Sequence, residues 1–91
     1  MSAVIRLPTP LRSAVGGQQT IPIEAEDLAS LPRVLADRYP DLASRVLRDG
    51  AFGRFVTVFI DGEDARFLPP ETPLADVRTI ELLPAMSGGA Q

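Results

Sequence analysis

The chain of 91 residues contains no cysteine, no histidine, no lysine and no tryptophan. Without cysteine it forms no disulfide and offers neither a thiolate nucleophile nor a thiolate metal ligand. Without histidine it lacks the usual general base and the commonest metal ligand. The sequence therefore predicts a protein that is not an enzyme by itself, with no catalytic residue and no metal site.

Charge and hydropathy exclude two further classes of partner. The nine basic residues are arginines scattered along the chain, and the net charge is −3. Nucleic-acid binding would require a basic stripe. No apolar run is long enough to span a bilayer, and the first residues do not resemble a signal peptide. We expect a cytoplasmic protein of one domain, with neither nucleic acid nor membrane as its partner.

Alternating apolar residues predict short β-strands. These strands cover residues 3–8, 20–25, 55–60, 63–68 and 78–83. The first two flank Gly16-Gly17 and form an N-terminal hairpin, in which Pro22 faces outward where no backbone donor is needed. Asp61-Gly62 marks a second tight turn. The pattern indicates a sheet built largely from hairpins.

A main helix follows the first hairpin, because apolar residues recur at helical spacing from residue 28 to residue 35. Two residues are candidates for its N-cap, Asp27 and Ser30. A start at Ser30 places Pro32 in the first turn, where its missing N–H costs nothing. Tyr39-Pro40 ends the helix, because a residue before proline avoids helical angles.

A second, short helix is predicted to begin at Asp41, to include Leu47, and to end at Asp49-Gly50. The resulting order, β-β-α-(α)-β-β-β, predicts an α+β fold. It consists of a mixed sheet of four to five strands, with one main helix and a short second helix on one face.

Strand alternation also predicts an apolar patch at the C-terminal end of the sheet. If the strand 55–60 turns its even-numbered residues towards the helix, Phe59 faces away. In the last strand Leu83 faces the same way, and Pro84 follows it. Phe59, Leu83 and Pro84 are therefore a candidate partner-binding patch. The alternative is a register shifted by one residue, with Phe59 in the core.

The chain ends with a Gly-Gly pair two residues before its terminus. We predict a folded domain over residues 1–84 and a flexible tail over residues 85–91. Glycines carry no side chain, so Gly88-Gly89 fits a narrow channel and presents a backbone carboxyl group to an enzyme. Gly89 gains a free carboxylate only after Ala90 and Gln91 are removed. The alternative is an ordinary frayed end.

These features together resemble a known family. The order of elements resembles the β-grasp fold of ubiquitin, and the segment from Leu83 to Gly89 resembles the ends of bacterial sulfur carriers. The resemblance is closest to the carriers that feed cysteine synthesis. Further matching motifs are Ile5-Arg6-Leu7-Pro8-Thr9, Leu11-Arg12, Gly16-Gly17, Tyr39-Pro40, Arg54-Phe55-Val56 and Asp64-Ala65-Arg66-Phe67.

The resemblance implies a mechanism and a set of partners. An adenylating enzyme similar to those that activate ubiquitin would use ATP and magnesium to activate the Gly89 carboxylate. Sulfur would then replace AMP and leave a thiocarboxylate, which a sulfur-accepting synthase would consume. Gly88, Ser87 and Met86 would enter the partner's active site. A zinc metalloprotease with a JAMM motif would first remove Ala90-Gln91.

Three questions stay open at this point. The first is the final sulfur acceptor, which would be cysteine, a cofactor or another metabolite. One alternative function is the small subunit of molybdopterin synthase, which would remain bound to a large subunit. An alternative of another class is a non-covalent β-grasp interaction module, for which the tail would be dispensable.

Overall fold

The computed structural model describes residues 3–84. It consists of a five-stranded mixed sheet with helices on one face. The strands are β1 (Ala3–Arg6), β2 (Thr20–Ile23), β3 (Leu47–Arg48), β4 (Ala51–Phe52), β5 (Val56–Ile60), β6 (Glu63–Asp64) and β7 (Thr79–Pro84). The helices are α1 (Thr9–Arg12), α2 (Leu31–Arg38) and α3 (Pro40–Val46), with 3-10 turns at Ser13–Val15 and Ala65–Phe67. This confirms the predicted α+β class.

Strand β7 lies at the centre of the sheet, although it comes last in the chain. The strand order is β2-β1-β7-β5-β6, and β3 and β4 form a separate ribbon. β7 runs parallel to β1 on one side and antiparallel to β5 on the other. A parallel pair needs a long crossover, and the whole segment between β1 and β7, residues 7–78 with their helices, provides it.

The core lies between the helices and the inner face of the sheet. Alternate residues of each long strand face the helices, as a strand period of two requires. The fully buried side chains with no exposed surface are Ile5, Ile21, Leu31, Leu35, Leu42, Ile80 and Leu82. Apolar burial of this kind contributes roughly 25 cal/mol per Å², so these residues provide most of the stabilisation of the sheet–helix interface.

The N-terminal hairpin forms as predicted, and Pro22 lies at the sheet edge. The Leu7 N–H donates to Gln19 O at 2.9 Å, so the odd-numbered residues of β2 bond to β1. Pro22 therefore faces away from the ladder, where its missing N–H is not needed. Its carbonyl accepts a hydrogen bond from the Tyr39 hydroxyl at 3.0 Å. Together they block this edge against pairing with another strand.

Helix α2 begins after Ser30, which confirms the second of the two candidate starts, and Pro32 lies in its first turn. Asp27 instead closes the preceding turn. Its Oδ1 accepts the Ser30 N–H at 2.9 Å, and the Ser30 hydroxyl donates to Asp27 O at 2.9 Å. Both candidate caps are thus used in one turn that directs the chain into the helix.

The second predicted helix is wrong in its last turn. Helix α3 ends at Val46, and Leu47 begins the β3–β4 hairpin. Asp49 and Gly50 have φ values of 54° and 81°. Two consecutive residues with positive φ are typical of a type I′ hairpin turn, whereas a helix C-cap needs only one. The Asp-Gly pair therefore marks a hairpin and not a helix end.

The strand predicted over residues 63–68 is also wrong beyond its second residue. Strand β6 pairs only with Phe59 and Ile60, and a 3-10 turn follows. Asp64 accepts a hydrogen bond from the Arg66 N–H at 2.9 Å and so caps that turn.

Within residues 3–84, no helix combines the length and the apolar character needed to cross a membrane.

Candidate functional site

The central strand β7 carries the chain to the end of the sheet, and Pro84 is its last residue. Ile80 and Leu82 have no exposed surface and hold this strand in the core. The predicted site residues Met86, Ser87, Gly88, Gly89, Ala90 and Gln91 lie outside the described residues. The structure thus provides the point from which this C-terminal segment starts, which is opposite Val56 of β5.

Phe59 and Leu83 lie together on the outer face of the sheet, the face opposite the helices. Phe59 pairs with Glu81, and Leu83 pairs with Thr57. Phe59 and Leu83 are therefore diagonal neighbours, with α-carbons about 7–8 Å apart. Leu83 is 42% exposed, whereas the adjacent Leu82 is fully buried. The register shifted by one residue, with Phe59 in the core, is wrong.

Pro84 lies on the other face. It pairs with Val56, and strand alternation turns it to the same side as Leu82, towards the helices. The structure does not bring Pro84 next to Phe59 on the outer face. We use the name "outer patch" for Thr57, Phe59, Glu81 and Leu83. Its role in binding a partner stays a prediction.

Two arginines lie beside Leu83, and sequence analysis did not include them in the site. A hollow of about 190 Å³ is lined by Arg6 and Arg12 together with Glu81 and Leu83. Arg6 pairs with Glu81 across β1 and β7, and Arg12 Nε donates to Leu7 O at 3.0 Å. Alternation alone put Arg6 and Glu81 on this face. The place of Arg12 depends on α1, which is too short to leave a periodic signal in the sequence.

An ion pair closes the far edge of the outer face. Asp64 pairs with Phe59 across β5 and β6, and its Oδ2 lies 2.7 Å from Arg66 Nη2. The hydrogen bond from the Arg66 side chain lowers the pKa of Asp64, and the same bond raises the pKa of Arg66. Asp64 therefore stays ionised and paired at neutral pH. The net charge close to the outer patch comes from Arg6, Arg12 and Glu81.

The arrangement is suited to binding a protein. An apolar centre with a charged rim is the usual composition of a protein interface. Among residues 3–84, no three acidic side chains come together as metal ligands. At the base of the C-terminal segment, the described residues form a partly exposed apolar surface with charged neighbours, next to the central strand.

Comparison with known proteins gives a family match over nearly the whole chain. The model of the ThiS family matches residues 5–89. The sulfur carrier protein CysO of Mycobacterium tuberculosis strain H37Rv is 30% identical over 93 residues, which cover 98% of this chain and 100% of that protein.

Solved structures share the fold. The crystal structure of Mycobacterium tuberculosis CysO matches with a TM-score of 0.76 and 29% identity, over 91% of this chain and 98% of that one. A chain of the BexX/CysO complex of Amycolatopsis orientalis matches with a TM-score of 0.80 and 26% identity, over 96% and 99% of the two chains. Small archaeal modifier protein 1 of Methanosarcina acetivorans gives a TM-score of 0.77 and 28% identity, over 98% and 99%. The predicted ubiquitin-like β-grasp fold is confirmed.

Proposed function

The chain belongs to the ThiS family of ubiquitin-like sulfur carriers, and we propose that it carries sulfur as a thiocarboxylate on Gly89. The observation that carries this proposal is the position of the Gly88-Gly89 pair. The family match ends at residue 89, five residues after strand β7 ends at Pro84. Five extended residues span about 17 Å, which is enough for a terminus anchored on the sheet to reach a partner's active site.

The proposed activation proceeds in two steps. The Gly89 carboxylate oxygen attacks the α-phosphorus of ATP, with magnesium held by the activating enzyme, and pyrophosphate leaves. Hydrosulfide then attacks the carbonyl carbon of this mixed anhydride, and AMP leaves with the former carboxylate oxygen. The product is a thiocarboxylate. A carboxylate is a poor electrophile, so adenylation is what makes the substitution feasible.

The residues Ala90 and Gln91 make the chain a precursor under this proposal. Water must hydrolyse the Gly89–Ala90 peptide bond before Gly89 has a carboxylate to activate. A zinc metalloprotease of the JAMM type is the proposed processing partner. The dipeptide Ala-Gln is the second product.

The chain's own residues act by binding and positioning. We propose that the outer patch docks on the activating enzyme while β7 holds the start of the C-terminal segment in place. The proposed later partner is a synthase that accepts the sulfur for cysteine or for another sulfur-containing metabolite. A complex of CysO with BexX has been solved, which supports stable docking of such a carrier on a partner. Because adenylation consumes ATP, we propose that the carrier works in the cytoplasm. We also propose that it is not itself an enzyme, because the activating enzyme carries out the chemistry.

Intact mass spectrometry tests the proposal. The chain is incubated with lysate of its host, and then with ATP and a sulfide source. We expect loss of Ala-Gln, followed by exchange of one oxygen for sulfur at Gly89. An unchanged mass, in a lysate shown to process another carrier, would overturn the proposal in favour of a non-covalent module. Permanent purification with a large subunit would instead identify a molybdopterin synthase small subunit.

Phe59→Asp is expected to weaken binding to the activating enzyme by about tenfold or more, because it places a charge in the apolar centre of the outer patch. Phe59 is partly exposed and faces away from the core, so the fold should persist. Titration calorimetry measures the affinity, and circular dichroism checks the fold.

Val4→Asp is the matched control for this substitution. Val4 is 38% exposed and lies on the same outer face, opposite Thr79 at the far end of β7. It should leave the affinity unchanged. Equal weakening by both variants would show that a general charge effect, and not the outer patch, governs the affinity.

A further inference from the structure

A groove of about 460 Å³ lies on the helix side of the sheet, beside β5. Its apolar walls come from four parts of the fold: the segment that leads into α2 together with its first turn, strands β4 and β5, and the 3-10 turn after β6. The wall residues are Leu28, Pro32, Phe52, Val56, Val58 and Ala65. Val58 faces opposite to its neighbour Phe59, so the sheet separates this groove from the outer patch.

The groove exists because β6 is short. β6 pairs only with Phe59 and Ile60, and the chain then turns away at Ala65. Val56–Val58 of β5 therefore have no strand neighbour on that side within residues 3–84. The β3–β4 ribbon stands opposite and leaves an open channel between them. Its volume is in the range of about 300–1,000 Å³ that is usual for ligand pockets.

The charge of the groove is positive, although the chain is acidic. Its two charged lining residues are Arg54 and Arg66. Arg66 is paired with Asp64, whereas Arg54 is exposed and forms no ion pair within the part of the chain that the structure describes. A second hollow of about 380 Å³ shares Phe52, Gly53 and Arg54 with the groove.

This second hollow adds Arg48 to the same surface. Among the residues that line it, Asp49 carries the one carboxylate. Arg54 thus stands between two hollows, with the ring of Phe52 beside it. The surface combines an apolar channel with an exposed guanidinium, on a chain whose net charge is −3. A guanidinium in such a place favours a carboxylate, with which it forms two parallel hydrogen bonds.

We propose that this groove binds an extended peptide segment of a partner protein that carries bulky apolar side chains next to carboxylates. The apolar side chain fills the channel against Phe52 and Val58, and the adjacent carboxylate pairs with Arg54. The chain's own residues 85–91 fit this description poorly. They contain no acidic side chain.

The test is an amide NMR titration of the full chain with a capped peptide of sequence Asp-Leu-Glu-Leu-Asp. We expect saturable shifts at Leu28, Phe52, Arg54 and Ala65, and none at Leu83. Two control peptides replace either the leucines with serine or the acidic residues with lysine, and neither should produce these shifts. Absence of saturable shifts with the acidic–apolar peptide, or equal shifts with either control, would overturn the proposal.

Arg54→Glu should weaken peptide binding about tenfold or more, because it removes the charge-assisted hydrogen bonds of the guanidinium and places a carboxylate beside the carboxylates of the peptide. Arg78→Glu is the matched control, since Arg78 is also exposed but precedes β7 at the other end of the sheet. It should retain the affinity. Equal weakening by both variants would reduce the effect to net charge and contradict the proposal.

Two other occupants would be recognised in the same spectra. If removal of residues 85–91 shifts the groove amides without any peptide, the chain's own C-terminal segment fills the groove. If those amides shift with protein concentration, a second copy fills it. Either result overturns the proposal of a partner peptide. The titration uses no sulfur chemistry, so its failure is distinct from failure of the thiocarboxylate proposal.

Discussion

A chain that carries Gly89→Ala is expected to form little or no thiocarboxylate, with a rate of activation lower by about 10²-fold or more. The added Cβ would stand directly beside the reacting carboxyl group, where a channel shaped for a glycine backbone leaves no room. Misplacing reacting atoms by about 1 Å is enough for a loss of this size. Intact mass spectrometry of chains that end at residue 89, incubated with the activating enzyme, ATP and sulfide, measures the product directly.

Chains that end at residue 89 bypass processing, so the substitution tests activation alone. Glu71→Ala is the control, because Glu71 is exposed in the loop that precedes β7 and belongs neither to the outer patch nor to residues 85–91. It should be activated at close to the normal rate. Gly89 lies beyond strand β7, so the variant and the control should also unfold at the same temperature. Normal sulfur incorporation by the Gly89→Ala chain would count against Gly89 as the acceptor.

Leu82→Ala is expected to lower the free energy of unfolding by about 2–5 kcal/mol. Leu82 has no exposed surface and lies on the central strand, between β1 and β5. Its truncation leaves a cavity where sheet and helices meet. Because the whole stability of a small domain is about 5–15 kcal/mol, this change removes a large part of it. Urea denaturation followed by circular dichroism gives the midpoint and the slope.

The next residue provides the matched control. Leu83→Ala removes the same atoms from a side chain that is 42% exposed on the outer face. It should cost only about 0.5 kcal/mol or less, while binding to the activating enzyme weakens. A loss of stability equal to that of Leu82→Ala would contradict the register of β5 and β7.

In β1, β2 and β7 the alternation of apolar residues was sufficient to predict which side of the strand faces the core. Ile21 and Ile23 are buried, and Pro22 between them is exposed. Leu82 and Leu83 divide in the same way. Each of these assignments depends on a local period of two, which a single strand carries in its own sequence. Alternation also separates Leu83 from Pro84, which the predicted patch had joined. For Phe59 it left two registers open, and the burial of Val58 and Ile60 decides between them.

Short segments were harder, because the same residues are compatible with two local structures. Asp49-Gly50 is typical both of a helix end and of a hairpin turn. Residues 63–68 continue an apolar pattern, but the hydrogen bond of Asp64 with the Arg66 N–H starts a 3-10 turn instead. Helix α1 covers four residues around Pro10, too few for a periodic signal.

The sequence by itself determined the class of fold, the faces of the long strands and the Gly88-Gly89 pair with its two-residue extension. Only the tertiary structure decided that β7 lies at the centre of the sheet, that Arg12 comes next to Leu83, and that a groove opens beside Val58. The physical reason is the distance along the chain over which each kind of interaction acts. Periodicity and turn residues act over a few positions, whereas strand order and cavities arise from contacts between segments far apart in the chain.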